Sequence, residues 1–202
     1  MLRIGLTGGL ASGKSFVGAA LGGMGCLIIH ADQLGHQVMA KNAEAYEPIV
    51  KLFGAEILDE EGEIDRRKLG ARVFANPEEL SRLNAIVHPA VRARARRQTE
   101  EFASREPDGI CIYEAAIIIE TGSFREYDRL IVVSCTREQQ IERAISRDHL
   151  TREEVLNRLS RQMPLEEKVK HADYVIDTSG TKEHTLEQTR SVYASLRSIE
   201  NT

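Results

Sequence analysis

The 202-residue sequence has no tryptophan, five phenylalanines, five tyrosines and only three cysteines. Cys26, Cys111 and Cys135 stand far apart in apolar, strand-like stretches, and none belongs to a C-x-x-C pair. That spacing argues against a zinc ribbon, a dithiol redox motif and the paired framework of a secreted disulfide scaffold. Each cysteine reads as a small buried hydrophobe. No apolar run approaches the roughly 20 residues of a membrane-spanning helix. The first residues also lack the basic start and long apolar stretch of a secretory signal, so a reducing cytoplasm is the expected compartment. Positive charge is not in excess: 27 Lys and Arg against 31 Asp and Glu leave a formal charge of −4. A nucleic-acid coat needs a strong basic excess, although local basic patches still suit a small anionic ligand. There is no internal repeat and no low-complexity tract, and N-K-x-D is absent. Asp59-Glu60-Glu61-Gly62 superficially fits the D-x-x-G of GTPases but follows no apolar strand, which weighs against a GTPase-type switch.

What is present begins at residue 8. Gly8-Gly9-Leu10-Ala11-Ser12-Gly13-Lys14-Ser15 fits the phosphate-binding P-loop pattern in full. An apolar strand signal (Leu2, Ile4, Leu6) precedes it, and a helical pattern (Phe16, Val17, Ala19, Ala20, Leu21) follows. Glycines let backbone N–H groups wrap phosphate oxygens, and the helix N-terminus adds positive potential. Lys14 is placed to reach the β- and γ-phosphates, and the Ser15 hydroxyl to ligate Mg²⁺. The chain is expected to bind a nucleoside triphosphate.

Further apolar runs at Cys26–Ile29, Ile110–Tyr113, Leu130–Ser134 and Tyr174–Ile176 alternate with helical patterns. This spacing predicts an α/β fold in three layers, a mostly parallel sheet with helices on both faces. Between Gln33 and Pro107 the pattern is helical. It is punctuated by Asn76-Pro77 and His88-Pro89, where helix starts or breaks are expected. Thr136 with Gln139 and Thr151 with Glu154 fit capping boxes, and Pro164 opens a third short helix. The charged segment from Arg137 to His171 reads either as a solvated face or as a lid over phosphates, with the P-loop favouring the lid.

Asp32, just past the second strand, suits a general base or a water-mediated Mg²⁺ contact, and equally a helix N-cap. Glu114 ends the third strand, where a metal-contacting carboxylate belongs; a structural carboxylate is the alternative. Arg143 and Arg147 share a helix face and suit phosphate, or ordinary pairing with Glu142 or Asp148. His36, four residues after Asp32, shares its helix face. None of the six histidines has metal-ligand spacing.

Taken together, these residues resemble the dephospho-coenzyme A kinases along nearly the whole chain. Gly5-Leu6-Thr7-Gly8-Gly9 with Ala11–Ser15, Ala31-Asp32 with Leu34 and His36, and Gly62–Arg66 with Leu69 fall in the family's order. His88-Pro89 with Val91, Glu120-Thr121-Gly122, Gln140, Arg143, Arg147-Asp148, Arg158, Gln162 and Ala172-Asp173 follow. The resemblance implies transfer of the ATP γ-phosphate to the ribose 3′-hydroxyl of dephospho-CoA. Its nearest rival is another P-loop kinase acting on a nucleoside, nucleotide or small alcohol. It implies a core (about 1–32, 108–136 and 172–202), a helical acceptor-binding insertion (about 33–107) and a helical lid (about 137–171). It assigns nucleotide contact to Gly8, Gly9 and Ala11 through Phe16. Asp32 becomes the base, Arg143 and Arg147 the lid arginines beside Lys14, and His36, Arg66, His88 and Glu114 the acceptor contacts. Mg²⁺ is assigned to Ser15 and Asp32, in part through water; no nucleic acid or membrane partner is implied, and no oligomeric state. The sequence departs from the pattern at Ala11, usually Gly, and at Phe16, usually Thr. Ala115–Ile119 and Thr178, where Asn often stands, depart as well.

Overall fold

The computed structural model describes residues 1–200. In chain order the elements are β1 (Leu2–Gly8), α1 (Lys14–Gly23), β2 (Leu27–His30), α2 (Ala31–Met39), α3 (Tyr46–Phe53), α4 (Arg66–Ala75) and α5 (Pro77–Arg105). Then come β3 (Ile110–Glu114), β4 (Arg129–Ser134), α6 (Arg137–Asp148), α7 (Arg152–Leu159), α8 (Leu165–Val169), β5 (Tyr174–Asp177) and α9 (Lys182–Glu200). All five expected strands form one sheet, in the order β2-β3-β1-β4-β5. β1 runs parallel to β3, with Leu6 opposite Glu114, and parallel to β4, with Gly8 opposite Val133. β4 runs parallel to β5. Strand order therefore reverses at the central strand β1, the position where open α/β sheets bind ligands beyond their carboxyl ends.

The chain divides into two compact units, Met1–Ile29 with Phe102 onward, and His30–Glu101. In the first unit, side chains alternate across the sheet, as strand geometry dictates. On β4, Ile131 and Val133 join Ile4, Leu6, Val17, Leu21, Val192 and Leu196, burying α1 and α9 on one face. Leu130 and Val132 instead join Ile118, Ile119 and Leu165, burying α8 and the Ala115–Ile119 segment on the other. Both capping boxes form, Thr136 with Gln139 and Thr151 with Glu154, fixing the starts of α6 and α7. Those two helices enclose a smaller apolar cluster of Ile141, Ala144 and Val155.

The second unit is helical. Asp65 caps α4 by accepting from the Arg67 and Lys68 N–H groups, and Asn76 accepts from those of Glu78 and Glu79 at the start of α5. Pro77 does open a helix, but the break expected at His88-Pro89 does not occur. α5 runs through Pro89 for 29 residues. Proline removes one backbone donor and crowds the preceding turn; buried Leu83 before it and Val91 and Ala95 after it anchor both halves. Glu44 then ties the helix down by receiving Arg94 and Arg97.

Candidate active site

β1 ends at Gly8 and α1 begins at Lys14, so the intervening loop hangs off the carboxyl edge of the central strand. The positive potential of α1 is left open at this end. Its N-cap, Gly13, is left-handed (φ 93°), no side chain caps the helix, and its first turn carries no acidic residue. A Cβ on Gly8 would collide with the Val133 carbonyl and the Ser12 hydroxyl, so the loop fits this closely only with glycine there. Lys14 Nζ folds back and donates to Gly9 O at 2.9 Å. Ser12 is fully buried, whereas Ser15 is exposed and its Oγ donates to Glu114 Oε1 at 3.0 Å. Glu114 is 8 % exposed and sits at the end of β3. The structure thus brings Glu114 to the P-loop serine. A hydroxyl and a carboxylate oxygen this close are the hard donors that suit Mg²⁺ with most of its water shell retained.

Residues 11–16 form one wall of a cleft of about 530 Å³, and Glu142, Arg143, Ser146 and Arg147 of α6 form the other. The two arginines are held differently. Arg147 makes a two-pronged pair with its neighbour Asp148, at 2.7 and 2.9 Å. That pairing holds the Asp148 carboxyl below its ordinary range. Arg143 donates instead to Thr178, through Nη1 to Oγ1 at 3.1 Å and Nη2 to the carbonyl at 2.7 Å.

Asp32 and His36 lie in the other unit. Asp32 is exposed in the first turn of α2, where the cap position belongs to His30 and no side chain makes a cap hydrogen bond, so Asp32 is not the N-cap. Partial burial, with the positive charge of Arg66, pushes the His36 imidazole below its ordinary pKa; Asp32 opposes both. His36 and Arg66 line a cavity of about 770 Å³ within that unit, with Asp59, Asp65 and Arg67 as further charged walls and Met39, Ile64, Leu69, Val73 and Phe74 as apolar ones. His88 is exposed on α5 and lines neither cavity. Among the described residues no three His, Cys, Asp or Glu side chains cluster as a metal site.

A P-loop at a parallel-sheet switch point, facing arginines across a cleft, is shared by many phosphotransferases; comparison with known proteins narrows it. The family model for dephospho-CoA kinase matches residues 2–184. The chain belongs to the dephospho-CoA kinase family. A dephospho-CoA kinase of Aquifex aeolicus is 43% identical over 196 residues, spanning 97% of this chain and 98% of that protein. A solved Thermus thermophilus structure superposes with a TM-score of 0.83 at 35% identity, covering 96% of this chain and 97% of the other. The dephospho-CoA kinase of Campylobacter jejuni gives 0.72 at 27% identity, with 97% of each chain covered.

Within this dephospho-CoA kinase family member, several residues matter whose roles the sequence did not reveal. Thr178 is one hub: its hydroxyl lies 2.8 Å from Ser12 O and 3.2 Å from Ser134 O while receiving Arg143, and its side chain packs over Gly13. Gln140 and Gln162 are a second, through Leu10 of the P-loop. Lys168 is a third: fully buried, its Nζ donates to Ala116 O at 2.6 Å and pairs with Glu120 at 2.8 Å. A lysine in a charged helical run reads as solvated. Only the apolar residues Leu165, one helical turn before it, and Val169, next to it, hint that its helix is buried.

Proposed function

We propose that this chain phosphorylates the ribose 3′-hydroxyl of dephospho-CoA with ATP, giving coenzyme A and ADP. The observation that carries this reading is near full-length membership of the dephospho-CoA kinase family joined to an uncapped P-loop facing two arginines. The P-loop backbone at the uncapped N-terminus of α1, with the Lys14 ammonium, grips the β- and γ-phosphates. Ser15, with Glu114 behind it, offers oxygen donors to Mg²⁺, which when bound neutralises charge on the transferring phosphate. Arg143 and Arg147 turn from their present partners towards the phosphoryl group and exclude water from it.

Asp32 accepts the proton of the 3′-hydroxyl as that oxygen bonds to the γ-phosphorus. The bond from the γ-phosphorus to the β–γ bridging oxygen breaks, and ADP leaves. His36, Arg66 and His88, with the mixed apolar and charged cavity of the helical unit, serve the acceptor, whose pantetheine arm is uncharged and whose diphosphate is anionic. The three cysteines, none of them in a disulfide, fit a reducing compartment, the cytoplasm.

ADP release measured against an acceptor panel tests the reaction. Dephospho-CoA is expected to be turned over far faster than nucleosides, nucleotides or sugar alcohols, and a preference for any of those overturns the assignment. Asp32→Asn is expected to lower kcat by about a hundredfold or more, the usual worth of a positioned base. Transfer at the wild-type rate by the folded variant removes Asp32 from that role.

A further inference from the structure

Leu10 is the P-loop residue with no chemistry of its own, yet its backbone is held on both sides by distant side chains. Gln140 Nε2, on α6, donates to Leu10 O at 2.8 Å. Leu10 N donates to Gln162 Oε1, in the turn after α7, at 3.0 Å. A Cβ on Gly9 would overlap the Gln140 amide, so the preceding glycine is what admits that side chain. Leu10 and Ala11 also pack against the apolar cluster enclosed by α6 and α7. The P-loop tip is in this way built into the α6–α7 hairpin by two hydrogen bonds and a hydrophobic contact.

The next residue shows what this restraint is for. Ala11 has φ of 52°, in the left-handed region. For a residue with a Cβ that conformation is strained, and it persists only where the surroundings over-determine it. Ala11 opens the run 11–16 that walls the cleft, so its dihedral sets the direction of the amides that follow.

We propose that Gln140 and Gln162 are positioning residues for the nucleotide: they fix Leu10 so that Ala11 stays left-handed and the P-loop keeps its phosphate-binding curvature. Neither glutamine lines the cleft. The proposal rests on the reading that this cleft takes ATP, and it adds that the cleft's shape is held in place from the hairpin.

Calorimetric titration of the full chain with ATP and Mg²⁺, together with steady-state kinetics, tests it. Gln162→Met, close in size but without the acceptor oxygen, is expected to weaken ATP binding about tenfold, the equivalent of some 1.4 kcal/mol. Its KM for ATP rises in step, and its KM for dephospho-CoA stays where it was. In an Ala11→Gly background, glycine holds the left-handed turn without strain. There the same substitution is expected to cost less than about twofold, by the same conversion. Gln162→Asn, one methylene short, provides a milder variant should the first fail to fold, and is expected to lose affinity in the same direction. Undiminished ATP binding by the Gln162 variants, or an equal loss with and without the Ala11→Gly substitution, overturns the proposal. A wild-type chain that takes up no ATP overturns the kinase reading itself, and this proposal with it.

Discussion

At the scale of single residues, the P-loop combines one strained position with several satisfied ones. Ala11 occupies a left-handed turn that glycine would occupy freely. Ala11→Gly removes a Cβ penalty of about 1–2 kcal/mol and gives back part of it as unfolded-chain entropy. The folded chain is expected to gain about 1 kcal/mol, visible as a melting temperature raised by about 2–4 °C. A melting temperature unchanged or lowered means that Ala11 carries no strain worth relieving. Phe16, the other departure in the loop, costs nothing of this kind: its N–H donates to Gly13 O at 3.1 Å and its ring lies at the cleft wall. Sequence gives the motif and the departure from it but not the dihedral, because backbone strain is set by what surrounds the loop. Here that is a pair of glutamines 130 and 152 residues away.

Elements were largely readable where one periodicity acts alone. Four of the strands carry short unbroken apolar runs, as a sheet covered on both faces allows, and β1 shows its own at Leu2, Ile4 and Leu6. Both capping boxes are local enough to be visible in four residues. The continuity of α5 was not readable, since the proline signal at 89 is local and the packing that overrides it is not. The burial of α8 was equally hidden, because its charges suggest a solvated surface while one of them faces inward. That inward charge makes a sharp prediction. Lys168→Met strands Glu120 in a site only 22% exposed, though Glu120 keeps the Met163 N–H as a donor. Breaking one side of a pair in which only the lysine is fully buried is expected to cost about 1–3 kcal/mol. Lys168→Met with Glu120→Gln removes both charges and is expected to recover at least half of that loss in urea unfolding. A double variant no more stable than the single one indicates that the methylene stem, not the ion pair, holds α8 to the sheet.

At the scale of the whole molecule, titration bounds stability from both sides. Glu138 and Glu154 in the first unit, and Glu44 and Glu79 in the second, have carboxyl groups held below their ordinary value of 4.5 by hydrogen bonds and neighbouring arginines. Each adds stability that is complete above that value and is lost as pH falls through the lower folded one. His36, pushed below 6.5, acts in the same sense: the unfolded chain takes up its proton first, so stability begins to fall as pH drops below 6.5. On the alkaline side, burial pushes the Cys26 thiol from 9.0 up to about 12. The unfolded chain then ionises first, and stability declines as pH rises above 9.0. Urea midpoints are therefore expected to form a plateau across neutral pH with two limbs of different origin. The carboxylate share of the acid limb comes largely from exposed groups, so 1 M salt, with a screening length of about 3 Å, should lower that share of the plateau and partly flatten the limb, leaving the share that burial gives His36. The alkaline limb belongs in large part to a thiol inside the core beneath α1 and α9, which salt does not reach, with the half-buried Cys135 raised in the same direction by burial. Cys26→Ala is expected to flatten the alkaline limb alone, even though the smaller side chain lowers the plateau. An alkaline limb unchanged in that variant assigns the effect to some other group and removes Cys26 as its source.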